Sequence, residues 1–102
     1  MNSESRQVQS LRNRYKGSLA AKADNISQHL HNLLDLDDPS IDDLQVIKGD
    51  LHKLAGSSGM YGYADIAVAT REAMQVLEAM DEVTLHYKLI ALRNLLRQHA
   101  KS

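Results

Sequence analysis

Five histidines are the side chains of this 102-residue sequence best suited to chemistry near neutral pH. There is no cysteine, which excludes disulfides, thiolate metal sites and cysteine nucleophiles. His52 differs from the other four histidines in its sequence surroundings. Gly49, Gly56 and Gly59 fall in the same apolar-periodic segment, and an interior helical Gly costs about 1 kcal/mol relative to Ala. Close approach by another surface is the usual reason to keep such glycines. At about 100° per residue, His52 lies about 120° from the centre of the stripe Leu44, Ile47, Leu51, Leu54 and Ser58. It therefore sits on the flank of a helix and faces water. Its neighbours on that flank are Gln45, Lys48, Gly49, Ala55, Gly56 and Gly59, mostly residues with little or no side chain. A convex surface can reach such an imidazole. On the pattern alone, a solvated surface histidine among incidental glycines fits equally well.

The remaining candidates are weaker. His29 and His31 are two apart and point to different sides of a helix, and His99 lies on an apolar line near the C-terminus. His86 follows Glu82 at i+4, a spacing compatible with a metal. A metal site in a bundle, however, draws on several Glu and on Glu-x-x-His pairs. The sequence has no such pair, so no metal is expected. The stretch Gly56–Gly62 lacks the Gly-Lys-[Ser/Thr] ending of a phosphate loop and no strand precedes it, which argues against a nucleotide-dependent kinase. Lys+Arg 12 against Asp+Glu 13 gives a net charge of −1, and there is no Trp or Phe. A chain that grips phosphate backbones or stacks bases would be basic and aromatic, so no nucleic-acid partner is expected. Neither a signal peptide nor an apolar run near the roughly 20 residues of a membrane span is present, so no membrane partner and a cytoplasmic location are expected.

The elements that must position His52 are helical. Val8, Leu11, Tyr15, Leu19, Ala23, Ile26, Leu30 and Leu33 recur in steps of three and four, predicting a first helix over about 5–35. Gly17 interrupts this helix, which must either overhang its neighbours or break there. Pro39 marks a break, and Ser40 before Asp42 and Asp43 is a helix start. The second stripe runs from Ile41 to Ser58 and ends around Gly59–Gly62; the third runs Tyr63, Ile66, Thr70, Ala73, Leu77 and Met80. Asp81 caps a fourth helix with Leu85, Leu89, Leu92, Leu96 and His99 in line. Short connections make these four helices antiparallel neighbours in a single domain spanning 1–102, an all-α, up-down-up-down four-helix bundle. Val83, Tyr87 and Ile90 lie nearly opposite the fourth helix's main stripe. They are expected to pack on the N-terminal part of the first helix, the alternative being a dimer or partner surface.

The segment His52-Lys53-Leu54-Ala55-Gly56-Ser57-Ser58-Gly59, continuing Met60-Tyr61-Gly62, resembles the histidine-containing phosphotransfer (HPt) domains of two-component phosphorelays. Their motif is approximately H-x-L-[KA]-G-S-[SA] followed by further glycines, and here it falls in the second helix of a predicted bundle of matching length. The resemblance implies that His52 is the phosphoacceptor, exchanging a phosphoryl group with an aspartate of a response-regulator receiver domain. It makes the chain a phosphocarrier and phosphoprotein of two-component signal transduction, without kinase activity of its own. Its partners would be receiver domains and a sensor (hybrid) histidine kinase, with no cofactor on this chain and Mg²⁺ supplied by the receiver. Gln45, Gly49, Ala55, Gly56 and Gly59 would form the docking surface, and Lys48, Lys53 and Arg71 would stabilise the phosphoryl group. Many family members have Lys three residues after the histidine, where this sequence has Ala55; Lys48 is placed to supply that charge. Many also carry Gln or Glu 22 residues after it, where this sequence has Met74; Arg71, one turn earlier, is placed to reach the phosphoryl group instead. A monomer is expected. The competing reading is a non-catalytic module that binds a receiver or kinase without being phosphorylated.

Overall fold

The computed structural model describes residues 3–35 and 40–102. Five helical segments follow one another: α1 (Ser3–Gly17), α2 (Leu19–Asp35), α3 (Ile41–Met60), α4 (Ala64–Glu78) and α5 (Glu82–Lys101). The expected first helix is thus two segments, separated at Ser18. The Ser18 N–H turns back to the Tyr15 carbonyl at 2.9 Å, its hydroxyl donates to the same oxygen, and its own carbonyl accepts from Lys22 N–H. The predicted break at Pro39 lies outside the described residues.

Both predicted caps form. The Ser40 Oγ accepts from Asp43 N–H while the Asp43 carboxylate accepts from Ser40 N–H, a reciprocal capping box at the start of α3. Asp81 accepts from Thr84 N–H and opens α5. Helix α3 ends in a Schellman turn: Tyr63 N–H reaches Ser58 O at 2.8 Å and Gly62 N–H reaches Gly59 O. Gly62 sits at φ +87°, a conformation that favours glycine.

The bundle closes in the order α2–α5–α4–α3. The pairs Lys48–Glu78 and Gly59–Ala67 make α3 and α4 antiparallel, and Glu72–Lys88 and Asp65–His99 do the same for α4 and α5. The ring is completed at the α2–α3 seam by His29 and Asp50, with Tyr15 and Ser57 farther along in the opposed sense. Leu19, Ile26, Leu51, Ile66, Leu85 and Leu89 are among the fully buried side chains. Ser58 and Thr70, also buried, donate to carbonyls four residues back, Leu54 and Ile66, so neither hydroxyl is left unsatisfied.

Four expectations about the apolar stripes need correction. Val8 and Leu11 are 49% and 45% exposed, because α1 runs past the end of the bundle and has no helix opposite it. Val83 and Tyr87 do not pack on α1; each is 69% exposed. Helix α1 meets only the C-terminal end of α5, where Lys16 donates to the Ser102 carbonyl, whereas Val83 and Tyr87 lie at the other end. Ile90 differs from them in resting partly buried against the core. Ile41 and Met80, placed on core stripes by periodicity, are exposed at helix termini.

Candidate functional site around His52

His52 projects from the middle of α3, between buried Leu51 and Leu54, and is itself exposed. The helix packs its Leu44, Ile47, Leu51, Leu54 and Ser58 face inward, which fixes the direction of the opposite flank. Among the described residues His52 makes no side-chain hydrogen bond and no ion pair. Its ring nitrogens are therefore open to an incoming group.

The surface around it is cleared. A Cβ built on Gly49 or Gly56 would meet nothing within 4 Å, so neither glycine is required by packing inside this molecule. Gly59 differs: its Cβ would lie 4.0 Å from the Ala67 side chain, an ordinary contact across the α3–α4 interface. Gln45 is exposed and Ala55 half-buried on the same flank.

The three candidate cations occupy different places. Lys48 forms an exposed ion pair with Glu78 of α4 at 3.3 Å. Lys53 lines a groove of about 280 Å³ between α2 and α3, together with Lys22, Asn25, Asp50 and Ser57. Its charge acts on Asp50 on that side of the helix. Arg71 is exposed on α4 and makes no ion pair among the described residues. The pairs Lys48–Glu78 and Gly59–Ala67 set the register of α4 against α3. That register puts half-buried Met74 level with His52 and Arg71 level with Ala55.

Sequence reasoning missed the polar seam behind the site. His29, only 7% exposed, donates from Nε2 to the Asp50 carboxylate at 2.7 Å, and Asn25 donates to the same oxygen at 3.1 Å. Burial alone would raise the Asp50 pKa. The hydrogen bonds from Asn25 and His29 and the nearby positive charges outweigh it, and the carboxyl is held below its ordinary value. A buried histidine 21 residues from an aspartate carries no periodic signal that would pair them in the sequence. The aromatic end of the seam was equally hidden. Tyr15 stacks on Tyr61 at 4.6 Å between ring centroids, its hydroxyl is 2.8 Å from Ser57 Oγ, and Lys22 lies over its ring. Burial raises the Tyr15 pKa, so its hydroxyl stays protonated. Ser57, about a turn and a half beyond His52, is thereby committed to packing against α1.

The fold and site define a helical bundle that presents the His52 imidazole, unpartnered among the described residues, on a cleared face. Comparison with family models makes the class specific: the Hpt domain model matches residues 10–101, and the chain belongs to that family. Hpt domains act in histidine phosphotransfer within two-component systems, with receiver domains and kinases as their partners. No curated protein and no solved structure matches the chain. Among the described residues no helix is long and apolar enough to cross a membrane.

Proposed function

We propose that this chain is a phosphorelay intermediate that carries a phosphoryl group on His52 and exchanges it with the phosphoacceptor aspartate of a receiver domain. The observation that carries the reading is the combination of an exposed His52 with open space over Gly49 and Gly56. In the transfer, an imidazole nitrogen lone pair attacks the phosphorus of the receiver's acyl phosphate. An N–P bond forms, the P–O bond to the aspartate breaks, and the carboxylate leaves with the electron pair. The imidazole then sheds its surplus proton to water. The reverse step reloads the receiver. Imidazole suits both directions because it is nucleophilic when neutral and is easily displaced when protonated. Mg²⁺ belongs to the receiver in this reading and neutralises charge on the group in flight.

Docking has a second support on the same flank. Ile41, Leu44, Gln45, Lys48, Leu77 and Met80 line an open, mainly apolar groove of about 250 Å³ between the start of α3 and the end of α4. A receiver seated over Gly49 and Gly56 extends onto it. The test is incubation with a panel of phosphorylated receivers, followed by mass spectrometry for acid-labile phosphate. Label on His52, lost in His52→Gln with receiver binding retained, supports the relay. Phosphate accepted by His52→Gln moves the site elsewhere, and signalling unchanged by that substitution favours the non-catalytic module.

A further inference from the structure

The molecule is 55 Å long and about 20 Å wide, and its charges separate along that length. At one end α1 carries Arg6, Arg12, Arg14 and Lys16 against the single acid Glu4, and Lys101 of α5 joins them. At the other end, where α3 and α5 begin and α4 finishes, stand Asp42, Asp43, Glu78, Asp81 and Glu82. Each end also leaves an apolar stripe uncovered. On the basic end it is Val8 and Leu11, three apart on the overhang of α1; on the acidic end it is Val83 and Tyr87, four apart on the first turns of α5. The two stripes cannot meet within one chain, because α5 is about 30 Å long at 1.5 Å per residue and α1 touches only its far end.

We propose that these two ends are the halves of one interface, and that a second copy of this chain covers them by head-to-tail association. The α1 overhang of one molecule lies antiparallel along the first half of α5 of the next, Leu11 against Val83 and Val8 against Tyr87. Residues 3–15 of α1 extend about 18 Å, long enough to cover three turns of α5. The basic end then faces the acidic end of its neighbour, so the charge separation that is unfavourable to join like-with-like becomes attractive head-to-tail. The interface is heterologous: every added copy exposes the same two ends again, and the series stays open unless it closes into a ring. One short helix–helix contact per junction places it at the small end of specific interfaces, below about 1,200 Å², so it is weak and salt-sensitive. Helix α5 is diagonal to α3 in the ring, which leaves the His52 flank free in every copy. The inference therefore stands apart from the phosphotransfer reading and replaces the expected monomer.

Sedimentation equilibrium of the full chain tests it, from micromolar to millimolar concentration in low salt and again in about 0.5 M salt, where charge attraction is screened within a few ångströms. The average mass is expected to rise with concentration past that of a dimer in low salt and to fall back toward that of the monomer in high salt. Leu11→Asp spoils only the α1 half and Tyr87→Asp only the α5 half; each alone is expected to be monomeric. Mixed in equal amounts, they retain one intact junction and form heterodimers that do not grow. Both positions are exposed, so circular dichroism and melting should match wild type; if either variant fails to fold, Val8→Asp or Val83→Asp takes its place. A wild-type chain that is monomeric at millimolar concentration in low salt overturns the proposal. So does association that survives either substitution, or a mixture that stays monomeric.

Discussion

Gly56 joins backbone cost to partner access in a single residue. It lies one turn beyond His52, and a Cβ there meets no atom of this molecule. Replacing it with Gln adds helix propensity and removes nothing from the core, so the melting temperature should hold or rise, with up to about 1 kcal/mol gained. Phosphotransfer should nevertheless fall steeply, because the new side chain stands where the receiver must approach. Normal transfer in a folded Gly56→Gln protein would sink the argument from open space. Lys48 poses an electrostatic question at the same scale. Its ammonium is held by Glu78 at 3.3 Å in an exposed pair that solvent largely screens. A phosphoryl group on His52 brings roughly two negative charges within its reach. Lys48→Ala should move the transfer equilibrium toward phospho-receiver by about two- to fivefold, the range of exposed ion pairs. Glu78→Gln frees the lysine and should move it the other way. If both variants leave the equilibrium constant at the wild-type value in low salt, Lys48 is only part of a solvated face.

At the scale of elements, the two interhelical turns on either side of α4 share a geometry but not a residue type. After α3, Gly62 takes the left-handed position; after α4, Met80 does, at φ +61°. The hydrogen bonds match: Asp81 N–H to Val76 O and Met80 N–H to Leu77 O repeat the pattern of Tyr63 and Gly62. A side chain with a Cβ pays about 1 kcal/mol for that conformation. Met80 is 65% exposed, so its removal costs little packing. Met80→Gly should therefore raise stability by about 1 kcal/mol in chemical denaturation, with the slope unchanged. A drop in stability would mean that its partial contact with the α3–α4 groove outweighs the backbone strain. The same region shows which parts of the fold periodicity reveals. The stripes of α2 to α5, the Ser40 and Asp81 starts and the flank position of His52 follow from spacing and cap chemistry. Met80 and Ile41 fit the same spacing yet lie at helix ends, where no facing helix remains to cover them. Val8 and Leu11 fail for that reason too: spacing says which side of a helix is apolar, not how far its neighbour extends. The match of charge to place around His52 was only half visible, since Glu78 enters through the register of α4.

For the whole molecule, closure of the ring depends on pH through a carboxylate. Helices α2 and α3 meet through a polar link, with His29 and Asn25 both donating to Asp50, where the other neighbouring pairs interlock along their length. A second carboxylate–imidazole pair, Asp65 with His99 at 2.6 Å, ties α4 to the C-terminal part of α5. The His99 hydrogen bond holds the Asp65 carboxyl below its ordinary range against a smaller effect of burial, and the Asp50 carboxyl is likewise lowered. Folding therefore releases protons from both groups in acid. Their contribution to stability is fully present above the unfolded carboxylate value of about 4 and is lost as pH falls through the lower folded values. The contribution of these two carboxyls is expected to be flat from neutral pH to about pH 5 and to decline below about pH 4. Asp50→Asn should lower stability at neutral pH, through loss of the charge that His29 and Lys53 face. It should also flatten the acid decline, so that the mutant and wild-type curves draw together as pH falls below about 4. Urea denaturation at a series of pH values, followed by circular dichroism, measures both. Parallel curves, offset equally at pH 7 and pH 3, would show that Asp50 acts through packing alone and that the acid sensitivity of the bundle lies elsewhere.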